Sequence, residues 1–196
     1  MKKSEATRLN ILQKAYELIY QNGYQTTSID DILATTKVTK GAFYYHFKNK
    51  DEMGIAIIKE ILQPKFINQI TQTFSLETNT VEALYIMITK LLSDNDFMKF
   101  EHGCPVSNLI QEMTPKSFSF TEALQELTQE WQNIIVKNIE AGKKADFIKP
   151  NVQPQSVALF IISSYWGIRN FGRMNSGNNA YRSYLKELKN YLNSLK

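Results

Sequence analysis

The chain has 196 residues, of which 43% are hydrophobic and 21% are charged, and its formal net charge at pH 7 is +4. This composition is that of an ordinary globular protein and excludes an intrinsically disordered chain. The charge permits an anionic partner without requiring one. Because there are only 8 glycines and 5 prolines, long helices are favoured over short strands joined by many turns.

The cysteine count and the hydropathy limit the cellular setting. Cys104 is the single cysteine, which excludes an intrachain disulfide framework and a cysteine-built zinc site and favours a reducing interior. The longest uncharged stretch is apolar only from Val157 to Ile168, well short of the ~20 residues that span a bilayer. We therefore expect a soluble, cytoplasmic protein.

Four helices are expected in the N-terminal part, because apolar residues recur there at steps of three and four. The first helix should stop at Gly23. Short second and third helices should open at the hydroxyl caps Ser28 and Thr39, and a fourth should open at Asn49. Pro64 should bend or weaken the fourth helix rather than end it.

Longer helices are expected in the rest of the chain. The predicted spans are residues 80–92, 104–113, 118–141, 155–174 and 180–195. Gly142 should stop the third of these helices, and residues 175–178 should form the turn between the last two. No segment alternates in the manner of a strand, so the predicted fold is all-α with about nine helices.

Residues 28–47 carry the most informative pattern, which is two short helices separated by a tight link. This is the arrangement of a helix-turn-helix, whose second helix places its N-terminal residues in the major groove of DNA. Small residues there permit close approach to base edges, and the hydroxyl, imidazole and ammonium groups that follow can reach phosphates. By helical spacing, Phe43 and Phe47 are expected in the core. The candidate DNA-contacting residues are Thr39, Lys40, Gly41, Ala42, Tyr44, Tyr45, His46, Lys48 and Lys50.

Residues 27–53, TSIDDILATTKVTKGAFYYHFKNKDEM, resemble the DNA-binding domain of the TetR family of bacterial transcriptional repressors, and the similarity extends over residues 5–62. The resemblance implies an all-helical homodimer with an N-terminal three-helix head that binds a palindromic double-stranded DNA operator. It also implies a larger ligand-binding and dimerisation domain, where a small inducer ends repression. The expected domains are residues 1–50 and 51–196, connected by a fourth helix over about 50–74. The residues at family DNA-contact positions are Ser28, Thr39, Lys40, Gly41, Tyr44, Tyr45, His46 and Lys50.

Two residues depart from the family pattern. Lys37 lies at a turn position where the family usually has glycine, and a positive φ there would cost a lysine about 1 kcal/mol. Asp30 lies where many relatives carry arginine or another DNA-contacting residue. An acidic side chain that faces phosphate would weaken binding, so Asp30 is not counted among the predicted contacts.

Aromatic and polar residues mix in the C-terminal part, which suits a cavity that orients a small ligand. The alternative is that these aromatic residues only fill the core. The candidate ligand-pocket or sensor residues are Cys104, Asn108, Trp131, Tyr165, Trp166, Arg169 and Asn170.

Cys104 carries a hypothesis of its own. It precedes Pro105 at a predicted helix start, where the helix dipole lowers the pKa of a thiol. Residues 103–112 also resemble a stretch in TetR-type regulators, some of which respond to electrophiles or oxidants. Cys104 is either a reactive sensor thiol or a buried, inert cysteine that behaves as a small apolar residue.

The last two helices are the expected dimer surface, because each carries apolar residues on more than one face. In the TetR family this pair meets its twin in a four-helix bundle, and the alternative is that both helices pack within one chain. The candidate dimer-interface residues are Ser164, Ile168, Phe171, Tyr184, Leu188 and Tyr191.

No enzyme signature is present: the sequence has no glycine-rich phosphate loop, nucleophile elbow or HExxH pair. No cofactor, metal or membrane partner is expected. The predicted function is a transcriptional regulator, most simply a repressor, that a small inducer or modification of Cys104 releases from DNA. The alternative is a helical ligand-binding or stress protein whose head does not read DNA.

Overall fold

The structure, a computed structural model, describes residues 3–76, 79–93, 97–174 and 178–196. Its regular elements within these ranges are all helical. The α-helices are α1 (Lys3–Asn22), α2 (Ile29–Ala34), α3 (Lys40–His46), α4 (Lys50–Ile57), α5 (Gln63–Leu76), α6 (Thr80–Leu92), α7 (Pro105–Met113), α8 (Phe118–Lys144), α9 (Pro154–Met174) and α10 (Asn178–Ser194). A π-helical turn, Ile58–Leu62, joins α4 to α5 without a break, and Phe100–His102 form a 3₁₀ turn. With α4 and α5 counted as one rod, the described residues form nine α-helices, which confirms the predicted all-α class.

Two compact units divide the chain. The first unit consists of Met1–Lys65 and Pro105–Leu127, and the second consists of Phe66–Cys104 and Thr128–Lys196. No helix of the described residues is both long enough and apolar enough to cross a membrane.

Local capping explains where the N-terminal helices begin and end. Gly23 has a φ of +94° directly after α1, a backbone conformation that favours glycine. Ser28 and Asp31 form a reciprocal capping box at the start of α2, and the hydrogen bonds from Ser28 hold the pKa of Asp31 below its usual value. The side chains of Thr39 and Asn49 cap α3 and α4 by accepting hydrogen bonds from the amides of Ala42 and Glu52. The predicted starts of these three helices are confirmed.

A small aromatic and aliphatic core holds the three N-terminal helices together. Ile11 and Leu12 of α1 and Ile32 of α2 are fully buried. Phe43 and Phe47 are buried as predicted, with their ring centroids 5.6 Å apart. Because Phe43 within α3 and Phe47 directly after it both pack into the core, the opposite face of that helix is left on the surface.

The fourth helix continues through Pro64, as expected. The π turn Ile58–Leu62 lies immediately before this proline, and the widened turn accommodates a residue that has no N–H to donate.

Gly142 does not end its helix, so that prediction is wrong. Helix α8 continues to Lys144, and a Cβ atom added at Gly142 would lie 2.7 Å from Oγ1 of Thr80 on α6. The glycine therefore serves close packing of two helices rather than termination. Of the turn predicted for residues 175–178, positions 175–177 lie outside the described residues, and Asn178 is the first residue of α10.

Candidate nucleic-acid interface

Hydrogen bonds close the turn between α2 and α3 without a residue of positive φ. The amides of Thr35 and Thr36 donate to carbonyls of α2, and Oγ1 of Thr36 accepts from the amide of Val38 at 3.3 Å. Asp146 is the one non-glycine residue with a positive φ in the described ranges. Lys37 therefore does not adopt the left-handed backbone conformation considered from the sequence. The strain expected for a lysine at a position where the family usually has glycine does not arise.

The surface of α3 is open where the sequence predicts DNA contacts. Tyr44 is 48% exposed and Tyr45 is 78% exposed, although large aromatic side chains are usually buried. A Cβ atom added at Gly41 would meet no atom of the described residues within 4 Å. Thr39, Lys40, Lys48 and the α2 cap Ser28 are also exposed, while Ala42 and His46 are partly buried.

Each exposed tyrosine ring contacts the aromatic ring of a neighbouring residue. The Tyr44 ring meets the buried Phe43 ring edge to face, with centroids 5.3 Å apart. The Tyr45 ring meets the imidazole of His46 in a similar geometry at 5.0 Å. Such edge-to-face contacts restrict the orientation of both tyrosine rings on α3.

Lys50 is placed differently from the other predicted contacts. Its Nζ donates to the carbonyl of Tyr24 at 2.5 Å and lies 4.4 Å from the centroid of the Tyr24 ring. Burial lowers the pKa of Lys50 below its ordinary value. The Tyr24 hydroxyl in turn donates to Asp51 at 2.6 Å. The Lys50 ammonium thus holds the start of α4 to the segment that follows α1, an interaction between distant positions that the local pattern did not reveal.

Asp30 forms an ion pair on the same surface. Its Oδ1 lies 3.1 Å from Nζ of Lys40, and the two side chains are 74% and 60% exposed. The hydrogen bond from the ammonium to Asp30 raises the pKa of Lys40. The sequence singled out Asp30 only as an unfavourable charge and gave no sign of this pairing.

Helix α7 is fastened to the segment that leads into α2. The amide of Gln25 donates to Oε2 of Glu112 at 3.0 Å, and its side-chain Nε2 donates to Sδ of Met113 at 3.0 Å. Asn108, predicted as a pocket residue, lies on α7 in the first unit, beside a small apolar cavity that Tyr16 and Ile57 also line. The other six predicted pocket residues lie in the second unit.

An aromatic cluster fills part of the second unit. The buried indole of Trp131 meets the rings of Phe66, Tyr165 and Trp166 edge to face, with centroids 5.0, 5.5 and 6.2 Å away. The indole nitrogens of Trp131 and Trp166 are buried and have no hydrogen-bond partner within the described part of the chain.

Arg169 is fully buried and holds the segment before Cys104. Its Nη2 donates to the carbonyls of Lys99 at 3.1 Å and Gly103 at 2.5 Å. Cys104 is itself fully buried and forms no disulfide. Asn170 is partly buried beside Arg169 in α9.

The predicted dimer residues divide into exposed and internal positions. Phe171 is 53% exposed, and Ile168 and Tyr191 are partly buried. Ser164 and Tyr184 share a hydrogen bond of 2.9 Å between α9 and α10. Leu188 is buried within its own chain, which leaves its side chain no surface to offer a partner. We therefore remove Leu188 from the candidate interface.

Two family models match the chain. The model described as bacterial regulatory proteins, tetR family, matches residues 11–57, and the one described as tetracyclin repressor-like, C-terminal domain, matches residues 80–188. The first match contains the helix-turn-helix, and the second spans most of the remaining helices.

Individual proteins agree with these models. The chain is 36% identical over 138 residues to an uncharacterized HTH-type transcriptional regulator in the lacX 3' region of Lactococcus lactis subsp. lactis. The aligned residues cover 69% of each of the two chains. It is 26% identical to the HTH-type transcriptional repressor DhaR of Mycobacterium sp. (strain GP1), over 82% of this chain and 79% of that protein. A solved TetR-family transcriptional regulator from Cytophaga hutchinsonii has the same fold, with a TM-score of 0.88, 22% identity and coverage of 100% and 98%. The chain belongs to the tetR family of bacterial regulatory proteins, which are transcriptional regulators and not enzymes.

Proposed function

We propose that the protein is a cytoplasmic, homodimeric transcriptional repressor that binds a palindromic operator and leaves it when a small effector binds. The observation that carries this proposal is the two-sided character of α3. Phe43 and Phe47 anchor one face in the core, while Gly41 and Tyr45 lie exposed on the other and Lys40 is exposed at the start of the helix. A helix anchored in this way presents its free face to the major groove.

The exposed groups fall into two proposed roles. Lys40, Gly41 and Ala42 lie at the start of α3, where small size and a terminal ammonium suit contact with base edges. Tyr45 and Lys48 carry a hydroxyl and an ammonium that suit contact with phosphates. Ser28, Thr39, Tyr44 and His46 complete the proposed contact surface. Lys50 is assigned a smaller part, because its ammonium is already bound to the Tyr24 carbonyl.

An apolar stripe on α9 supports the proposed dimer. Phe160, Ser164, Gly167, Phe171 and Met174 follow one another at steps of four and three, which places them on one helix face. The three large side chains of this stripe are 47%, 53% and 74% exposed, and a Cβ atom at Gly167 would meet nothing within 4 Å in the part of the chain that the structure describes. A second copy packed on this face would hide the apolar surface. A dimer would also supply two α3 helices, as two half-sites about 34–36 Å apart require.

The second unit is the proposed site of effector binding. Its match to a tetracyclin repressor-like C-terminal domain and its cluster of aromatic side chains around Trp131 suit a small, partly apolar molecule. Binding of effector and of operator would then oppose one another reciprocally. Modification of Cys104 is the less favoured trigger, because a fully buried sulfur meets a reagent only after the surrounding structure opens.

A gel shift with the DNA upstream of the protein's own coding region tests the central proposal. The protein is expected to retard this DNA but not a shuffled duplex of equal length. A Tyr45→Ala variant should lose most of the retardation, whereas Lys137→Ala, a change of an exposed residue on α8 in the second unit, should not. If no duplex from a randomised library binds more tightly than bulk DNA, the protein is instead a helical ligand-binding protein with an inactive head.

A further inference from the structure

The Asp30–Lys40 ion pair presents a hydrogen-bond acceptor and a donor side by side on the proposed DNA surface. Oδ1 and Nζ are 3.1 Å apart, and both side chains are more than half exposed. Asp30 lies in the first turn of α2 and Lys40 is the first residue of α3. Each group comes from a different helix of the motif, so the carboxylate lies on the α2 side of the pair and the ammonium on the α3 side.

Base pairs present a matching pair of groups in the major groove. Cytosine N4 and adenine N6 are donors, whereas guanine O6 and thymine O4 are acceptors. In each Watson–Crick pair the amino group donates to the keto oxygen opposite, so these two atoms lie about 2.9 Å apart. This spacing is close to that between the carboxylate oxygen and the ammonium nitrogen of the ion pair.

We propose that Asp30 and Lys40 together read the orientation of one base pair in each half-site. The proposal rests on the DNA-binding function proposed above. Asp30 accepts from the amino group of cytosine or adenine on one strand, and Lys40 donates to the keto oxygen of guanine or thymine on the other. C·G is the preferred pair, because guanine offers Lys40 a second acceptor at N7.

The neighbouring acidic residue cannot take over this role. The Asp31 carboxylate accepts hydrogen bonds from the amide and the hydroxyl of Ser28 at 2.8 and 2.6 Å. It is therefore part of the capping box of α2. Asp30 is thus the carboxylate of this turn that pairs with Lys40, and it acts as a specificity-determining residue rather than as a simple repulsive charge.

Selection from a library of palindromic duplexes with randomised half-sites tests the assignment. The wild type is compared with Asp30→Ala and with the exchanged double variant Asp30→Lys, Lys40→Asp, which keeps the net charge and the possibility of an ion pair. The wild type should prefer an amino–keto pair over the reversed pair at one position, by about 10-fold for C·G over G·C. The exchanged variant should reverse that preference while the other positions of the selected site stay unchanged.

Binding titrations with the selected duplex and its reversed-pair variant provide the quantitative readout. Asp30→Ala should reduce the discrimination to about 3-fold or less, even if its affinity for all DNA rises because a negative charge is lost. A helical circular dichroism spectrum and melting temperature equal to those of the wild type confirm that each variant is folded. If all three proteins select the same site, the orientation reading is overturned and the DNA-binding function stands. If the wild type selects no site, the proposed function itself fails.

Discussion

Replacing Gly41 by alanine separates the stability of α3 from its proposed approach to DNA. In the free protein the added methyl group would meet no atom of residues 3–76, 79–93, 97–174 or 178–196 within 4 Å, and Gly41 is not among the described glycines with a positive φ. Alanine is favoured over glycine in a helix by up to about 1 kcal/mol. For a chain of this size such a gain raises the melting temperature by about 2–4 °C.

The same methyl group should weaken operator binding. It stands on the face of α3 that we place against base edges, where overpacking costs about 1–3 kcal/mol at each contact. A dimer makes this contact twice, so the total is at least about 2 kcal/mol, equivalent to a loss of about 30-fold in affinity.

Two measurements on the Gly41→Ala protein test this reasoning: thermal unfolding followed by circular dichroism, and fluorescence anisotropy with a labelled operator. Asn10→Ala is the matched control, because Asn10 is exposed on α1 of the same unit and alanine also improves helix propensity there. The control should gain stability and keep its affinity. A Gly41→Ala protein that is more stable and binds the operator as tightly as the wild type would refute the close approach of α3 to DNA.

Three further changes have defined outcomes. Lys48→Ala should reduce the slope of log affinity against log salt by about 2 per dimer, whereas Lys137→Ala should leave that slope unchanged; equal slopes in all three proteins would exclude a phosphate contact by Lys48. Gly142→Ala should lower the free energy of unfolding by about 1–3 kcal/mol in urea titrations, because the methyl group would meet Thr80 at 2.7–2.9 Å. An unchanged free energy of unfolding would show that α6 and α8 are not so closely packed. Phe171→Glu should shift the protein from dimer to monomer in sedimentation equilibrium, because a carboxylate would be buried on the proposed interface; an unchanged dimer would place the interface elsewhere.

The sequence was most informative where the structure depends on neighbouring residues. Ser28, Thr39 and Asn49 were identified as helix caps because a cap and its partner amide lie within three residues of each other. The division of α3 into a buried and an exposed face followed from helical periodicity alone, as Phe43 and Phe47 show.

The interactions that the sequence did not reveal connect distant positions. Gly142 was predicted to end its helix, because its close approach to Thr80 involves residues far apart in the chain and leaves no sign in the local sequence. Lys50 was predicted to contact DNA, whereas the Tyr24 carbonyl and ring 26 positions earlier hold its ammonium. Asp30 was interpreted only as a charge unfavourable to DNA binding, because its partner Lys40 belongs to the next helix. Pairings of this kind depend on how the helices pack, which local pattern does not determine.

Dimethyl sulfate footprinting on a selected operator tests the central claim most directly, because the reagent reports access to guanine N7 in the major groove. We expect two patches of protected guanines on one face of the duplex, with centres about 10–10.5 base pairs or a multiple of that distance apart. Bound DNA whose guanine N7 atoms remain fully reactive would contradict the placement of α3 in the major groove.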